Sequence, residues 1–274
     1  MCNFLQVTRS AYYRWIKHPY SERVLKNSEL AKVIRTIHDD LPEKGYRRIN
    51  HTLKREHDIH VNDKRILRIC RHEGIQSTIK HSANSITKRA NHPYHTAENI
   101  LDRAFTADAP NQKWLTDVTE FKYSMGLEAK KVYLSAILDL YDRRIVSYVV
   151  RDTNDLLLVF DTFDQAVALE PDAHPLFHSD RGFQYTHANF YKRIVKAEMI
   201  QSMSRVGKCI DNGPMEGFWG MIKREKYYGK KFTSRDELVT MIEAYIDYYN
   251  NGRYQQKLHI LTPMEYHNQY YEVA

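Results

Sequence analysis

Three β-rich runs between residues 113 and 150 restrict the possible folds of this chain more than any other feature. In the first run, residues 113–123, the side chains alternate between two faces: one carries Trp114, Thr116 and Val118, and the other carries Leu115, Asp117 and Thr119. Met125-Gly126 supplies a turn, residues 132–138 and 145–150 form the next two runs, and the turn-like residues 141–144 separate them. Connections this short predict three consecutive antiparallel strands.

The pattern after residue 150 alternates between helices and short strands. We predict helices at 155–168 and 187–197, strands at 175–178 and 200–203, and two long helices towards the end of the chain. This order predicts an α/β layer. No run approaches the ~18–20 apolar residues of a membrane span, and the first residues lack the apolar segment of a signal peptide. Cys2, Cys70 and Cys209 form no CxxC pair, which argues against a disulfide framework or a cysteine zinc site, so we expect a cytosolic protein.

The excess positive charge of the chain lies in its first part. Residues 1–104 contain 20 lysines and arginines against 11 aspartates and glutamates, whereas residues 105–274 contain 21 against 23. A basic surface attracts phosphate backbones because its binding releases counterions. Nucleic acid is therefore the expected partner, although a basic domain can also be merely soluble.

Three helices are predicted in this basic part: residues 28–40 with Ser28 as N-cap, residues 46–56, and a helix that starts at Asn62-Asp63 and stops near Gly74. Basic residues stand between their apolar positions: Arg47, Arg48, Lys54, Arg55, Lys64, Arg65, Arg68 and Arg71. The pattern is typical of a helix-turn-helix DNA-binding unit. A solvated basic helical bundle fits it equally well.

We divide the chain into four segments. Residues 1–24 hold a short helix capped by Thr8 or Ser10 and look like the end of another helix-turn-helix, residues 25–76 form the basic helical domain, residues 77–104 form a linker, and residues 105–271 form the α/β domain. Within the linker, His81, His92 and His95 have no cysteine or fourth ligand beside them, so we interpret them as solvated loop histidines.

Three acidic residues stand where catalysis is expected. Asp117 lies in mid-strand among apolar neighbours, where an unpaired charge is costly to bury. Asp180 comes just after the short strand at 175–178, and strand ends are where α/β sheets place active sites. Glu216 begins the helix MEGFWGMIKREKYY after the letters IDNGP. We expect these carboxylates to converge at one edge of the sheet.

Carboxylates that converge in this way repel each other unless cations lie between them. Hard oxygen ligands suit Mg²⁺ or Mn²⁺. Two such ions about 3.5–4 Å apart clamp the attacking and leaving oxygens of an in-line displacement at phosphorus. The hypothesis is therefore two-metal phosphoryl transfer with Asp117, Asp180 and Glu216 as both catalytic and metal-binding residues.

The same residues carry a resemblance to a known family. Asp180 and Glu216 are separated by 35 residues, and Lys223 comes seven residues after Glu216 on the same helix face. This arrangement, with the stretches PNQKWLTDVTEF, HSDRGFQYT and YIDYYNNGRYQQKLHILTPMEY, resembles the DDE transposases and retroviral integrases. In particular, it resembles the second-frame protein of insertion sequences whose transposase is made by frameshifting. Gly213-Pro214 departs from the family, in which a small residue, often alanine, follows the Asp-Asn pair, but proline is tolerated in a first helical turn.

The resemblance implies an RNase H-like integrase core, a mixed five-stranded sheet with flanking helices, preceded by a small all-α helix-turn-helix-like domain. It implies a bacterial cytoplasmic transposase that uses two Mg²⁺ or Mn²⁺ ions to cut and join DNA at the terminal inverted repeats and a target. It further implies a homo-oligomeric synaptic complex and a possible fusion or association with the upstream-frame protein. The alternatives are a nuclease that only hydrolyses DNA and an inactive or domesticated DNA-binding remnant.

The remaining site assignments rest on residue type and position. The residues expected to contact DNA are Lys223, Arg47, Arg48, Lys64, Arg65, Arg68, Asn212 and Arg253. Asn212 could instead cap a helix, and Arg253 could hold the C-terminal helix. We expect Glu120 to point away from Asp117, Asp139 and Asp142 to serve the turn between two strands, and Phe218 and Trp219 to lie in the core. His178 could orient an acid, contact phosphate or simply be packed.

Overall fold

A computed structural model describes Cys2, Phe4 and residues 6–17, 20–79, 95–126 and 128–273 of the chain. His81 and His92 of the predicted linker lie outside these residues. The chain forms two compact units, Met1–Ile79 and Lys80–Ala274. Each unit has its own apolar core, so the helical and the α/β parts predicted from the sequence are separate packing units.

The first unit is helical, with α1 at Arg9–Lys17, α2 at Glu22–Asp40, α3 at Tyr46–Glu56 and α4 at Asp63–His72. Thr8 caps α1, because its Oγ1 accepts a hydrogen bond from the Ala11 amide at 3.2 Å. All of α1 is described, and none of its residues is buried. The prediction of a short helix capped by Thr8 is therefore confirmed.

Helix α2 begins six residues earlier than predicted. Its N-cap is Ser21, whose side chain accepts from the Val24 amide, and not Ser28, which lies inside the helix. The residues between the two serines contain no glycine or proline that would stop a helix. An ion pair of 2.6 Å between Glu22 and Lys26, one helical turn apart, also supports the additional turn.

Helices α3 and α4 have the predicted bounds. The Asn62 side chain caps α4 by accepting from the Lys64 amide at 2.8 Å, and Gly74, with φ +68°, ends the segment in the left-handed conformation that glycine adopts freely. Apolar residues from α2, α3 and α4 form the core of this unit: Leu30, Ile34, Ile37, Ile49, Leu53, Ile66 and Ile69. The buried Asn50 of α3 ties the two later helices together by donating to Val61 O and Asp63 Oδ1.

The second unit contains a five-stranded sheet in the order β3-β2-β1-β4-β5. Its strands are β1 at Lys113–Met125, β2 at Glu128–Asp139, β3 at Ile145–Arg151, β4 at Leu176–Ser179 and β5 at Ile200–Met203. The first three strands pair antiparallel, as predicted, while β4 and β5 run parallel to β1. The sheet is therefore mixed.

Helices cover both faces of this sheet. They are α5 at Leu156–Leu169, α6 at Ala188–Lys196, α7 at Gly213–Ile222, α8 at Arg235–Asn251 and α9 at Pro263–Val273. Leu115 packs with the apolar side chains of α7 and α8, whereas Trp114 packs with those of α5 and α6. The alternation predicted for β1 is thus confirmed. Helix α9 was not predicted.

Part of the predicted linker is packed against this unit. Leu101 is buried in the core beside α7 and α8, and the amides of Ile100 and Leu101 donate to Ser202 Oγ at 3.0 and 3.1 Å. The Met203 amide donates to Glu98 O at 3.1 Å. Among the described residues, the packed unit therefore begins at His95 rather than at residue 105. His95 itself stacks against Tyr191, with ring centroids 4.1 Å apart.

None of the helices formed by the described residues is both long and apolar enough to cross a membrane.

Candidate active site

The register of β1 and β4 brings the two aspartates together. Leu115 stands opposite His178 in this parallel pair, and Asp117 and Asp180 each come two residues later in the same direction. Side chains two residues apart share a face of the sheet, and neighbouring strands lie about 4.7–4.9 Å apart. Asp117 and Asp180 are therefore neighbours on the face that α7 covers, with Asp180 one residue beyond the end of β4.

Burial perturbs the ionisation of both aspartates. Burial and, next, the negative charge of Asp180 raise the pKa of Asp117 to about 7, and Glu216 acts in the same direction. Burial also raises the pKa of Asp180, although the Gly182 amide opposes this by donating to Asp180 Oδ1 at 2.8 Å. A Cβ atom on Gly182 would lie 2.9 Å from the same oxygen, so a side chain at this position would require the Asp180 carboxylate to shift.

Glu216 lies in the first turn of α7, and the contacts of that helix with β1 place it beside the pair. Just before the helix, Asn212 donates to Thr116 O at 3.0 Å, and within it the Trp219 indole donates to Asp117 Oδ2 at 3.0 Å. Glu216 stands between them on the same helix face. Glu216 is exposed as a whole residue, and the partial burial of its carboxyl group raises its pKa.

The three acids do not form a closed cluster of ligands. Within the described residues, no group of three or more histidine, cysteine, aspartate or glutamate side chains stands close enough together to hold a metal ion. The structure thus sets Asp117 and Asp180 side by side, and the charge of Glu216 acts on Asp117, but the expected convergence of all three acids on one metal site is not seen in the part of the chain that the structure describes. Asp117, Asp180 and Glu216 remain predicted ligands.

Lys223 extends the contact between α7 and β1. It opens a π-helical turn, Lys223–Tyr227, that directly continues α7. Its Nζ donates to Thr119 Oγ1 at 2.6 Å and lies 5.2 Å from the centre of the Phe121 ring. Burial lowers its pKa, while the charges of Glu120 and Asp117 act in the opposite direction. A cationic side chain is therefore held within electrostatic reach of Asp117.

A buried tyrosine lies on the other face of the sheet, against the strand that carries Asp117. The Tyr185 hydroxyl lies 3.2 Å from Thr116 Oγ1, which itself donates to Ala136 O at 3.0 Å. Thr116 Oγ1 therefore accepts a hydrogen bond from the Tyr185 hydroxyl. Burial, followed by the charges of Asp117 and Asp180, raises the pKa of Tyr185 well above its usual value. Sequence reasoning missed this residue because nothing in the local pattern distinguishes it from a core aromatic.

A second residue missed from the sequence is Asp211, in the 3-10 turn Cys209–Asn212 before α7. Its fully buried carboxylate accepts hydrogen bonds from Arg205 and Arg103. These bonds, with that of Arg205 the stronger, hold its pKa far below the usual value despite its burial. Its position directly before Asn-Gly-Pro was the only signal in the sequence.

Arg253, predicted to contact DNA or to hold the C-terminal helix, is engaged with Glu225. The guanidinium lies 2.8 Å from Glu225 Oε1, and the two side chains are only 12% and 3% exposed. Tyr245 donates to the same carboxylate at 3.0 Å. This buried pair favours the structural role of Arg253. Its predicted DNA contact is untested.

The other sequence assignments have clear local explanations. Glu120 pairs across the strands with Lys131 at 2.8 Å. Asp139 accepts from the Tyr141 amide and Asp142 from the Arg144 amide, which confirms their turn role, and both are also fully buried. Burial and the charge of Asp142 raise the pKa of Asp139 to about 6.

His178 is a packed residue. Its ring nitrogens lie 2.9 and 3.1 Å from Ser202 Oγ and Ser204 Oγ, and burial lowers its pKa to about 4, so it is neutral at pH 7. Ser202 Oγ already accepts two amide protons, from Ile100 and Leu101. The Ser202 hydroxyl therefore donates its hydrogen bond to His178 Nδ1, and His178 Nε2 donates a hydrogen bond to Ser204 Oγ. The packed alternative is the one the structure supports.

The basic residues of the helical unit fall into two groups. On α4, Lys64, Arg68 and Arg71 are exposed and share one face, because they are spaced by four and three residues. Arg47 of α3 is also exposed, with its guanidinium 5.1 Å from the centre of the Tyr46 ring. The other members, Arg48 and Arg65, are half-buried, and Arg65 donates to Asn27 Oδ1 at 2.9 Å. The exposed face of α4 thus presents three of the basic residues singled out from the sequence.

Comparison with known proteins agrees with this architecture. Residues 107–209 and 216–271 match two integrase core domain families, and residues 26–83 match an HTH-like domain. The putative transposase InsK of insertion sequence IS150 from Escherichia coli is 36% identical over 97% of this chain and 92% of its own length. The 31 kDa protein of insertion element IS600 from Shigella sonnei is 32% identical over the full length of both.

The helical match and the two integrase core matches define the class: an RNase H-like integrase core preceded by a helix-turn-helix-like domain. A solved structure of the HTLV-2 integrase catalytic core domain in complex with magnesium is also similar, with a TM-score of 0.46 and 19% identity over 58% of this chain and 98% of that one. The chain belongs to the insertion-sequence transposases of the DDE, IS3-type family, to which its full-length similarity to the IS150 and IS600 proteins assigns it.

Proposed function

We propose that this transposase cleaves DNA at the ends of its element and joins them to a target, with Asp117, Asp180 and Glu216 as the metal-binding and catalytic residues. The observation that supports this most directly is the register of β1 against β4, which sets two carboxylates side by side beneath the helix that carries the third. Their burial and mutual repulsion raise the pKa of Asp117 to about 7, as expected for a site built to receive positive charge.

The donor set fits a divalent cation. Three carboxylates are the hard oxygen donors that Mg²⁺ and Mn²⁺ prefer, and a cation beside Asp117 would offset the repulsion that Asp180 and Glu216 exert on it. When bound, two such ions would activate the attacking water or 3′-hydroxyl and stabilise the departing 3′-oxygen. We therefore propose Mg²⁺ or Mn²⁺, two ions, as the cofactor.

The residues of the chain orient the reacting groups around this site. Trp219 fixes one carboxylate oxygen of Asp117, and the Gly182 amide fixes one of Asp180. Lys223 is held at the same face and is positioned to contact a DNA phosphate near the reacting bond. Asn212 and Arg253 remain predicted DNA contacts, but both side chains already donate to acceptors within the protein.

The helical unit is proposed to bind the terminal inverted repeats through Arg47, Arg48, Lys64, Arg65 and Arg68. The exposed face of α4 carries the strongest support, since the second helix of a helix-turn-helix enters the major groove. Homo-oligomerisation in a synaptic complex with element ends and target DNA, and association with an upstream-frame protein, are further proposals that rest on the family.

The test of catalysis is a cleavage assay on an element-end duplex in Mg²⁺, with Glu216→Gln as the variant. Glu216 is exposed, so removal of its charge should leave the fold intact while cleavage is lost. Glu243→Gln, an exposed glutamate on α8, is the matched control and should cleave like the unaltered protein. Unchanged cleavage by Glu216→Gln would exclude Glu216 from the site.

A second assay separates the transposase reaction from simple hydrolysis. With a target duplex added, a transposase yields joined products, whereas a nuclease yields only cut ends. A protein that binds the element ends but neither cuts nor joins them in any divalent metal would be an inactive remnant.

A further inference from the structure

The turn that leads into the catalytic helix is organised around one buried carboxylate. Asp211 is fully buried, and its oxygens accept from Asn99 Nδ2 at 3.1 Å and Arg103 Nε at 2.7 Å. Arg205 adds three donors, its amide, Nε and Nη2, at 3.1, 2.8 and 2.9 Å. Charge-assisted bonds of this length are the stronger class of hydrogen bond. The carboxylate is thus held from both sides.

The donors come from two distant parts of the chain. Asn99 and Arg103 lie in the segment before β1, more than a hundred residues before Asp211, and Arg205 lies in the loop after β5. The early segment is fixed independently of Asp211, because Ser202 accepts from its backbone amides and Glu98 accepts from Met203. Asp211 is therefore tied to a framework that is already anchored to the edge strand of the sheet.

The residues directly after Asp211 in the chain belong to the catalytic site itself. The next residue, Asn212, donates to Thr116 O, immediately before Asp117. Helix α7 starts one residue later and carries Glu216 and Trp219, of which Trp219 holds Asp117 at 3.0 Å. A displacement of the turn would move Asn212 and the start of α7 together. Misplacement by about 1 Å can cost ~10²-fold in rate.

We propose that Asp211 is a positioning residue of the transposase: clamped by Arg103 and Arg205, it fixes the turn that sets α7, and with it Glu216, against Asp117. The segment at 95–103 thereby becomes part of the active-site framework. The consequence for catalysis rests on the proposed function of the three acids, but the ordering of the turn does not.

The experiment compares Asp211→Asn, Arg103→Ala and Arg103→Lys in the full chain. Asp152→Asn, the same substitution in an exposed ion pair with Arg235, is the control. Amide hydrogen exchange of residues 208–216, measured without metal, reports the turn directly. The second readout is the Mg²⁺ concentration for half-maximal cleavage of an element-end duplex, measured together with the affinity for that duplex.

We expect exchange at 208–216 to accelerate about tenfold or more in Asp211→Asn and Arg103→Ala, with Arg103→Lys in between and Asp152→Asn unchanged. Cleavage should fall roughly 10- to 100-fold and need more Mg²⁺, while affinity for DNA stays the same. Should Asp211→Asn fail to fold, Arg103→Ala decides, since its side chain is 43% exposed. Wild-type exchange and metal dependence in a folded Arg103→Ala protein would overturn the proposal. If the unaltered protein shows no metal-dependent cleavage, the proposed function fails, and the exchange data still decide whether Asp211 orders the turn.

Discussion

Replacement of Arg253 by methionine tests whether this arginine holds the fold or contacts DNA. The substitution keeps most of the side-chain length and removes the charge. Glu225, only 3% exposed, would then lose its cationic partner and keep the Tyr245 hydroxyl as a donor at 3.0 Å. Removal of one partner from a buried ion pair costs about 3–5 kcal/mol. Because Tyr245 still donates, we expect a loss near the lower end, about 3 kcal/mol.

The assay is urea unfolding of the full chain, followed by the fluorescence of its three tryptophans, of which Trp114 and Trp219 lie in the second unit. With an m-value of about 2 kcal/mol/M, a loss of ~3 kcal/mol lowers the midpoint of the transition by roughly 1.5 M. The double variant with Glu225→Gln should recover most of the loss, since both charges are then absent. Arg235→Met, which breaks an exposed pair with Asp152, is the control and should cost less than ~1 kcal/mol.

A loss of stability below about 1 kcal/mol for Arg253→Met, combined with weaker binding to the element ends, would refute this reasoning. It would show that the guanidinium is available to a phosphate and that the pair with Glu225 contributes little. The same measurement therefore separates the two roles that the sequence left open for Arg253.

Further predictions concern the catalytic pair and the basic helices. Asp117→Asn should abolish cleavage while affinity for the element-end duplex stays nearly intact; equal loss of both would make Asp117 a structural residue. In EDTA the same variant should be more stable than the unaltered protein. Because the pKa of Asp117 is raised to about 7, the unaltered protein loses stability as pH rises from about 4 to 7, by up to ~1.4 kcal/mol per pH unit. The extra unfolding free energy of Asp117→Asn should thus be complete above pH 7 and absent near pH 4. A difference in unfolding free energy that does not depend on pH would contradict this prediction. Trp219→Phe should lower the cleavage rate with little change in DNA affinity, because Asp117 loses the donor that orients it; an unchanged rate would remove Trp219 from the site. Arg68→Ala should weaken DNA binding and reduce the slope of log K against log salt by about 1 without loss of stability. Arg65→Ala should also destabilise the helical unit, since Arg65 holds Asn27, and identical thermal unfolding of the two variants would argue against that distinction.

Local periodicity was enough to predict most of the fold. Alternation with a period of two placed Leu115 and Asp117 on one face of β1, and the structure confirms it, because that pattern is set by the backbone of a single strand. The caps of α1 and α4 were likewise predicted from local residues, Thr8 or Ser10 for the first helix and Asn62-Asp63 for the second, and the structure shows Thr8 and Asn62 in these roles. The start of α2 was predicted wrongly, since two serines could cap it and the choice depends on the helix-forming residues between them.

The three acids were also proposed from the sequence, through their spacing and neighbours. The way in which they are held could not be predicted. The Gly182 amide bonds Asp180 only two residues away, but Trp219 on Asp117 and Tyr185 on Thr116 are contacts between elements far apart in the chain. No local pattern encodes such pairings, because each depends on the register of β1 against β4 and on the angle at which α7 crosses the sheet.

The buried acids Asp211 and Glu225 also show what the sequence determines and what only the tertiary structure decides. Asp211 and Glu225 have the local pattern of ordinary surface acids, and only the folded chain brings arginines from positions 103, 205 and 253 to them. A charge can remain buried only where a partner of opposite sign lies beside it with suitable geometry. The tertiary structure determines whether such a partner is present. The order of residues along the chain thus specified which elements form and which side chains could perform the chemistry. The packing of distant segments decided which charges are structural and how the catalytic helix is set against the sheet.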